Sequence, residues 1–272
     1  MMAKLAVAQT VCVPGDVAAN TAQAVDLIEL AAAAGAELIC LPECLSTGLD
    51  TSNLPKLAEE LPGPFSEAIG QAARQAGCFV VCGMAEREGD ALYNAAVVMG
   101  PDGKLLAKYR KCYLYLQEAE TFSRGERACV VDFGFATGGV AICYDYVFPE
   151  YIRDLVLRGA RLLVHPTAWV DTPDCREWHY PAAEAYRAQC QVRALENGIF
   201  VMSANHSGAY DTGGYLQAVG RSAIIAPWGE ALAEVPEGKG VAVAEVDFAK
   251  ASEWAKTAAP YLRDFRDVPR PL

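Results

Sequence analysis

The sequence predicts a layered α/β fold built on a mixed β-sheet. Short apolar runs alternate with longer segments whose apolar residues recur at helical spacing. Two pairs of runs are joined by tight turns at residues 101–103 and 227–229, which predict antiparallel hairpins. Most runs are apolar at consecutive positions, so we expect both faces of the strands to be covered.

Strands and helices alternate through the N-terminal half of the chain. Residues 20–34 are Ala-rich with apolar residues at helical spacing, and Gly35 is suited to end that helix. A second helix is expected over residues 64–76, ending at Gly77. The strands predicted in this half are residues 4–12, 37–41 and 78–87, followed by the hairpin 91–111.

The C-terminal half repeats this alternation before a Pro-bearing end. Helices are predicted over residues 150–157, which stop before Gly159, and over residues 177–197, which end at an Asn-Gly pair. The strands predicted in this half are residues 138–143, 161–166, 198–205 and 240–248, with the hairpin 220–235.

Residues 254–272 show little periodicity and contain three prolines, so we expect a tail without regular helix. Its aromatic residues need burial, either at a subunit interface, which we favour, or on its own domain. We expect residues 1–272 to form a single domain that includes this tail.

Composition restricts the classes of function. The chain has 272 residues, of which 53% are hydrophobic, enough for a sizeable core. Its net charge of −11 argues against nucleic acid or an anionic membrane as a partner. No apolar stretch approaches the ~20 residues of a membrane helix, and the N-terminus lacks the apolar core of a signal peptide. We therefore expect a cytoplasmic protein.

The cysteines and histidines lack the spacing of structural sites. The ten cysteines are scattered, which favours reduced thiols over a disulfide framework. The three histidines are far apart in sequence and show no metal-ligand spacing, so no metal site is predicted. We interpret His165, at the end of a predicted strand, as a structural residue.

Cys143 is the candidate nucleophile. It follows the apolar run 140–142 and precedes a turn and a helix that begins at about Glu150. A thiol beside a helix N-terminus lies in positive potential, which favours the nucleophilic thiolate. Taken alone, a buried core thiol is the commoner interpretation of such a cysteine.

Three more charged side chains follow predicted strands. Amide hydrolysis requires a nucleophile, a base and donors for the oxyanion. Glu43 can act as the base if burial raises its pKa. Lys111, assisted by the backbone N–H of Tyr144, can stabilise the oxyanion, and Glu118 can orient Lys111 or the substrate nitrogen. Individually, each of these charges is more often a surface group or a helix cap.

Three motifs resemble the signature blocks of the nitrilase superfamily, the carbon–nitrogen hydrolases. They are LPE at 41–43, YRK at 109–111 and CYDYVFPE at 143–150. The blocks occur in the family's order and with similar separations. The segments GAELICLPE, TFSRGE, RGARLLVHP, VRALENGIFV and PYLRDFR extend the resemblance over almost the whole chain.

The resemblance implies a role for each candidate. Glu43 is implied as general base, Lys111 as oxyanion stabiliser and Cys143 as nucleophile. Glu118, four residues before Phe122, matches a further glutamate of the family. The implied fold is a four-layer α-β-β-α sandwich, paired through its α faces into a homodimer or higher homo-oligomer, with the C-terminal tail crossing to the partner. No metal or organic cofactor is implied.

The residues around the motifs indicate the type of substrate. Tyr113 and Leu49 replace a His and an aromatic residue that many relatives carry. The Tyr-Asp pair after Cys143 is similar to amidases and carbamoyl hydrolases, whereas true nitrilases usually have Trp-Glu. The closest resemblance is to short-chain aliphatic and aminoalkyl amidases.

We therefore predict hydrolysis of a small linear amide to a carboxylic acid and ammonia through a Cys143 thioester. The alternatives are an N-carbamoyl hydrolase, a nitrilase acting on a small substrate, or a catalytically silent binding relative. Large aromatic residues are often core residues instead of pocket walls. The candidates for contact with substrate are Tyr144, Phe148, Trp169 and Asn205.

Overall fold

The computed structural model describes residues 1–49, 53–116 and 118–267. The strands are β1 (Met2–Gln9), β2 (Leu38–Cys40), β3 (Phe79–Glu88), β4 (Ala91–Met99), β5 (Leu105–Arg110), β6 (Cys129–Asp132), β7 (Thr137–Val140), β8 (Leu162–Pro166), β9 (Val170–Asp171), β10 (Phe200–Ala204), β11 (Ser207–Ala209), β12 (Gln217–Val219), β13 (Ser222–Ile225), β14 (Ala231–Val235) and β15 (Gly240–Asp247). The helices are α1 (Val17–Ala33), α2 (Leu54–Leu57), α3 (Pro64–Ala76), α4 (Glu118–Thr121), α5 (Pro149–Leu157), α6 (Pro173–Glu177), α7 (Ala182–Asn197), α8 (Phe248–Thr257) and α9 (Tyr261–Asp267), and Cys143–Val147 form a 3₁₀ helix.

The first large sheet has the strand order β15-β1-β2-β3-β4-β5. Strands β1, β2 and β3 are parallel, while β15, β4 and β5 join antiparallel, so the sheet is mixed as predicted. Alternation along β1 sends Leu5 and Val7 into one apolar cluster and Ala6 and Ala8 into another. The second cluster contains the buried faces of α1 and α3, so both faces of this sheet are covered.

The second large sheet has the order β14-β13-β10-β8-β7-β6 and faces the first. Its central strands β7, β8 and β10 are parallel. Strand β1 of the first sheet contacts β10 and β13, while α5 and α7 pack on the opposite face. The predicted four-layer α-β-β-α sandwich is therefore confirmed. A small third sheet, β11-β12-β9, lies outside these layers.

Local signals explain where several helices begin and end. Helix α3 has the predicted bounds, since Pro64 occupies its first turn and Gly77 ends it with a φ of 65°. Helix α1 begins three residues before the predicted start because the side chain of Asp16 accepts a hydrogen bond from the backbone of Ala19.

Two predicted elements are corrected by the structure. The single helix over residues 177–197 is wrong: α6 and α7 are separate, and α7 starts only after Pro181. Proline lacks the N–H that a helix interior requires and is tolerated at a helix start. The strand expected to run to Cys143 ends at Val140, and Cys143 has a φ of 41°, outside the range of a strand.

The prediction of a tail without regular helix is also wrong. Residues 254–257 belong to α8 and residues 261–267 form α9, because Pro260 precedes α9 and does not interrupt it. Trp254 packs edge-on against Trp228 and Tyr261, with ring centroids 6.4 Å apart in both pairs. The prediction for residues 268–272, the last part of the expected tail, lies outside the described residues. Within the described ranges, no helix is long and apolar enough to cross a membrane.

Candidate active site

Charged side chains collect where strands of both sheets end. Glu43 lies just after β2, Lys111 directly after β5, and Cys143 after β7. Glu118 begins the short helix α4. All four line one cavity of about 470 Å³, so the structure brings together the four residues for which the sequence predicts catalytic roles.

Lys111 joins the two predicted carboxylates. Its Nζ donates to Oε1 of Glu43 and to Oε2 of Glu118, both at 2.7 Å. Lys111 is 1% exposed, Glu43 3% and Glu118 5%, so all three are removed from bulk water. An ammonium has three N–H bonds, and two are used here. The third is available to a group bound in the cavity.

Asn94 is a site residue that sequence reasoning missed. Its Nδ2 donates to Glu43 at 2.6 Å and to Glu118 at 2.8 Å, so it closes a ring with Lys111. Asn94 is 1% exposed and lies in the middle of the apolar strand β4. An amide in an otherwise apolar buried strand is the sequence signal that points to such a role, because a buried polar group needs partners.

The segment after β8 fixes the other side of Glu43. The backbone N–H of Ala168 donates to Oε2 of Glu43 at 2.8 Å. Gly83 of β3 lies directly under the Glu43 turn. A Cβ on Gly83 would come within 2.5 Å of the Cα of Glu43 and 2.6 Å of the carbonyl oxygen of Pro42. Glycine is therefore required there for the turn to approach the sheet.

Asp145 shapes the turn that carries Cys143, the candidate nucleophile. It is fully buried, and its carboxylate accepts from the backbone of Ile142 at 2.9 Å, from the hydroxyl of Tyr109 at 2.7 Å and from the backbone of Tyr113 at 2.9 Å. Burial raises the pKa of Asp145 to about 6, although these hydrogen bonds oppose the rise. The turn around Cys143 is thereby tied to the strand that delivers Lys111.

Two buried histidines lie beside main-chain carbonyl groups of two candidate catalytic residues. His206 Nε2 lies 2.7 Å from the carbonyl oxygen of Glu43, and His165 Nε2 lies 3.2 Å from that of Cys143. Burial lowers the pKa of His165 to about 3 and that of His206 to about 4, so both rings are neutral at pH 7. A carbonyl only accepts, so Nε2 carries the proton in each ring. His165 is structural, in agreement with the sequence interpretation.

The electrostatics of Cys143 differ from the sequence prediction. Burial raises the pKa of its thiol well above the usual range, the charge of Glu43 adds to the rise, and Lys111 opposes it. The expectation that a helix N-terminus stabilises the thiolate is therefore wrong. A five-residue 3₁₀ helix starts at Cys143, and desolvation is the largest cause of the net upward shift of the thiol pKa. A thiol in this state needs a base.

The pKa shifts of the neighbouring Glu43 and Lys111 fit a base that takes the thiol proton. Burial raises the pKa of Glu43 above its ordinary value, against the opposing charge of Lys111. Burial by itself lowers the pKa of Lys111, but the charges of Glu118 and Glu43 outweigh it and the net shift is strongly upward. Lys111 therefore remains an ammonium, while Glu43 has an increased affinity for a proton.

The four predicted substrate contacts fall into two groups. Tyr144 and Trp169 line a second cavity of about 270 Å³ that shares the Cys143 wall with the first. Phe148 instead stacks on Tyr113, with ring centroids 3.9 Å apart. Asn205 is fully buried, and its side chain accepts from the backbone of Trp169 at 3.0 Å. Among the described residues, Phe148 and Asn205 are thus braces behind the cavities and not parts of their walls.

The described part of the chain contains no cluster of three or more His, Cys, Asp or Glu residues arranged for a metal ion. A half-buried thiol, a buried carboxylate and an oriented ammonium in one cavity are the groups needed for thiol-dependent cleavage of a carbon–nitrogen bond.

Comparison with known proteins agrees with this class. The family model described as carbon-nitrogen hydrolase matches residues 4–256. The chain is 35% identical over 238 residues to omega-amidase NIT2-A of Xenopus laevis, covering 84% of this chain and 83% of the relative. It is 37% identical over 234 residues to a nitrilase of Pyrococcus abyssi, with the same shares covered. The solved structure of an amidase from Nesterenkonia sp. AN1 in complex with acrylamide superposes with a TM-score of 0.79 at 26% identity, covering 97% of each chain.

The chain belongs to the carbon–nitrogen hydrolase family, within the nitrilase superfamily. It is a hydrolase that acts on carbon–nitrogen bonds, with amidases among its relatives.

Proposed function

We propose that this protein is a thiol amidohydrolase that converts a small linear amide, aliphatic or aminoalkyl, to a carboxylic acid and ammonia. The observation that carries the proposal is the position of Lys111. It is held by two buried carboxylates and keeps one N–H for the cavity that the Cys143 thiol also lines.

Acylation begins with proton transfer. Glu43 takes the proton of the Cys143 thiol, and the sulfur attacks the amide carbon. The carbonyl oxygen becomes an oxyanion that accepts hydrogen bonds from the free N–H of Lys111 and the backbone N–H of Tyr144. Glu43 then returns the proton to the nitrogen, the C–N bond breaks, and ammonia leaves a thioester on Cys143.

Deacylation uses the same groups. Glu43 removes a proton from water, the hydroxide attacks the thioester carbon, and Lys111 again stabilises the oxyanion. Collapse of this intermediate releases the carboxylic acid, and the sulfur leaves and regains its proton from Glu43. Glu118 does not exchange a proton in this scheme. It positions Lys111 through the 2.7 Å contact.

Two features support an amide. The Tyr-Asp pair after Cys143 differs from the Trp-Glu of true nitrilases, and an omega-amidase and an amidase are among the relatives. The cavity has the size of small-molecule sites. The test measures ammonia release from short amides, the matching nitriles and N-carbamoyl amines side by side. The proposal expects amides to give much the largest kcat/KM. Preference for a nitrile or carbamoyl compound would reassign the substrate, and no turnover of any would favour a silent binding relative.

A further inference from the structure

The outer part of the 470 Å³ cavity is formed by two segments that no catalytic residue occupies. One is the short helix α6 with the residues that follow it, and the other is the loop 211–216. They contribute two carboxylates, Asp174 and Asp211, to the cavity wall. They also contribute three aromatic side chains, which are Trp178, Tyr180 and Tyr215.

The positive charges near the cavity are already neutralised. Lys111 is the one cationic side chain among the described residues of the wall, and its ammonium is shared by Glu43 and Glu118. Arg176 of α6 is outside the wall and pairs with Asp171 at 2.7 Å. The interior therefore offers no free cation for an anionic substrate group, as far as the described chain shows.

The two outer carboxylates have no ion-pair partner within the described residues. The hydroxyl of Tyr215 donates to Oδ2 of Asp174, which joins the loop to α6. Oδ1 of Asp211 accepts from the backbone of Leu216 at 2.8 Å. These hydrogen bonds orient the carboxylates without cancelling their charge, so both add negative potential to the cavity.

We infer that Asp174 and Asp211 are specificity-determining residues that select amides whose far end is a cation, an ammonium or guanidinium. The inference rests on the proposed amidase function and narrows its substrate. Carboxylates attract the cation directly, and the faces of the neighbouring aromatic rings attract it through their π electrons. An amide with a terminal carboxylate meets two like charges and no counter-charge.

A charge series at constant length tests this inference on the wild-type protein. The substrates are 5-aminopentanamide, hexanamide and adipic acid monoamide, whose far ends are an ammonium, a methyl group and a carboxylate. Ammonia release gives kcat/KM for each. The expected order is cation, then neutral, then anion, with roughly a tenfold or larger step between cation and neutral amide. The step shrinks at high salt because these carboxylates are near solvent.

Substitution of each outer carboxylate then tests which residues cause the preference for a cationic amide. Asp174→Asn and Asp211→Asn should each lower kcat/KM for 5-aminopentanamide about tenfold while leaving hexanamide nearly unchanged. Glu177→Gln is the matched control, since it removes the same charge from the same helix at a residue outside the cavity wall. It should change neither value appreciably.

The outcomes separate this inference from the amidase proposal. If hexanamide or the monoamide is preferred, or if Glu177→Gln lowers the cation preference as much as the two Asp variants do, the inference is overturned while the amidase function stands. If none of the three amides, nor any other short amide, releases ammonia, the proposed function fails and the inference fails with it.

Discussion

The inner part of the cavity, here called the floor, carries Glu43, Lys111, Glu118 and Cys143 and is built differently from the outer part. The outer part, here called the mouth, is formed by α6, the residues that follow it and the loop 211–216. On the floor, Glu43, Lys111 and Glu118 are at most 5% exposed and form a closed hydrogen-bond ring with Asn94. At the mouth, Trp178 is 80% exposed and follows α6, a helix of only five residues. Glu43 and Lys111 on the floor closely follow strands of a large sheet, whereas the mouth residues lie on a short helix and on loops.

This difference separates chemistry from substrate choice. In the proposed mechanism, the floor positions the groups that transfer protons and stabilise charge, and such groups need rigid support. In the same proposal, the mouth contacts the part of a substrate that does not react, so its residues should alter recognition without altering the reaction. Substitutions on the floor should therefore reduce turnover of every amide, and substitutions at the mouth should change only the ranking of amides.

Loss of the nucleophile should have the largest effect. Cys143→Ala is expected to reduce ammonia release to the background rate, and Cys143→Ser nearly so, because a hydroxyl at its normal pKa is a far weaker nucleophile. The fold should remain intact, since Cys→Ala removes little volume. Thermal unfolding of both variants provides the control. Substantial activity in Cys143→Ala would contradict the proposed mechanism.

Loss of the base should be the next largest effect. Glu43→Gln keeps the shape but cannot accept the thiol proton, so we expect kcat to fall by ~10²–10⁴. Lys111→Met, which removes the oxyanion donor, should cost a similar factor. Rates are measured by ammonia release for at least two amides of different charge. A variant that retains nearly wild-type kcat would remove that residue from its assigned role.

Loss of the bridging amide should have an intermediate effect. Asn94→Ala leaves Glu43 and Glu118 each without one hydrogen bond, and we expect kcat to fall roughly 10–100-fold with KM little changed. Removing a partner from buried carboxylates should also lower the free energy of unfolding by about 1–3 kcal/mol. Denaturant titration measures the second effect. Unchanged kcat would show that the ring does not position the site.

The pH dependence of kcat/KM should reflect the raised pKa of Glu43 and not the ordinary pKa of a surface carboxylate. Glu43 must be ionised to accept the thiol proton, so kcat/KM should fall as the pH decreases through its raised pKa. The acid limb is expected above ~4.3, the ordinary value for glutamate. His165 and His206, with lowered pKa values of about 3 and 4, should add no limb near 6.5. A limb at or below 4.3 would contradict the raised pKa of Glu43.

The smallest expected effect concerns assembly. We still propose that the C-terminal region contributes to a dimer, although Trp254 and Tyr261 pack on their own chain. Light scattering of the full chain, and of a chain ending at Lys256, compares the two states. We expect a dimer that weakens on truncation, with turnover per folded chain changed less than by any floor variant. A monomeric full chain, or equal association of the truncated one, would contradict this proposal.

The sequence predicted the floor better than the mouth, for physical reasons. Glu43, Lys111 and Cys143 follow strands whose apolar runs are visible, and these strands of the two large sheets end at one cavity. Asn94 was missed because its signal, one amide in an apolar strand, does not show which distant side chains it contacts. The pKa of Cys143 was predicted in the wrong direction because desolvation depends on packing that no local pattern contains.

The mouth could not be predicted because its contacts join distant segments. Residues 178–181 interrupt what looked like one long helix, and the interruption places Trp178 and Tyr180 on the cavity wall. The link between Asp174 and Tyr215 spans two loops that the sequence shows only as turns. Such contacts follow from the fold and not from the spacing of residues.

The central claim is a covalent thioester on Cys143, and trapping that species tests it most directly. The amide that is turned over fastest is mixed with enzyme, acid-quenched within milliseconds and analysed by peptide mass spectrometry. A parallel reaction contains hydroxylamine, which converts an acyl-enzyme to a hydroxamate. The account predicts a peptide containing Cys143 that is heavier by the amide minus ammonia, or hydroxamate formation, and neither in Cys143→Ala. An enzyme that releases ammonia while giving no adduct and no hydroxamate, or an adduct on another residue, would contradict it.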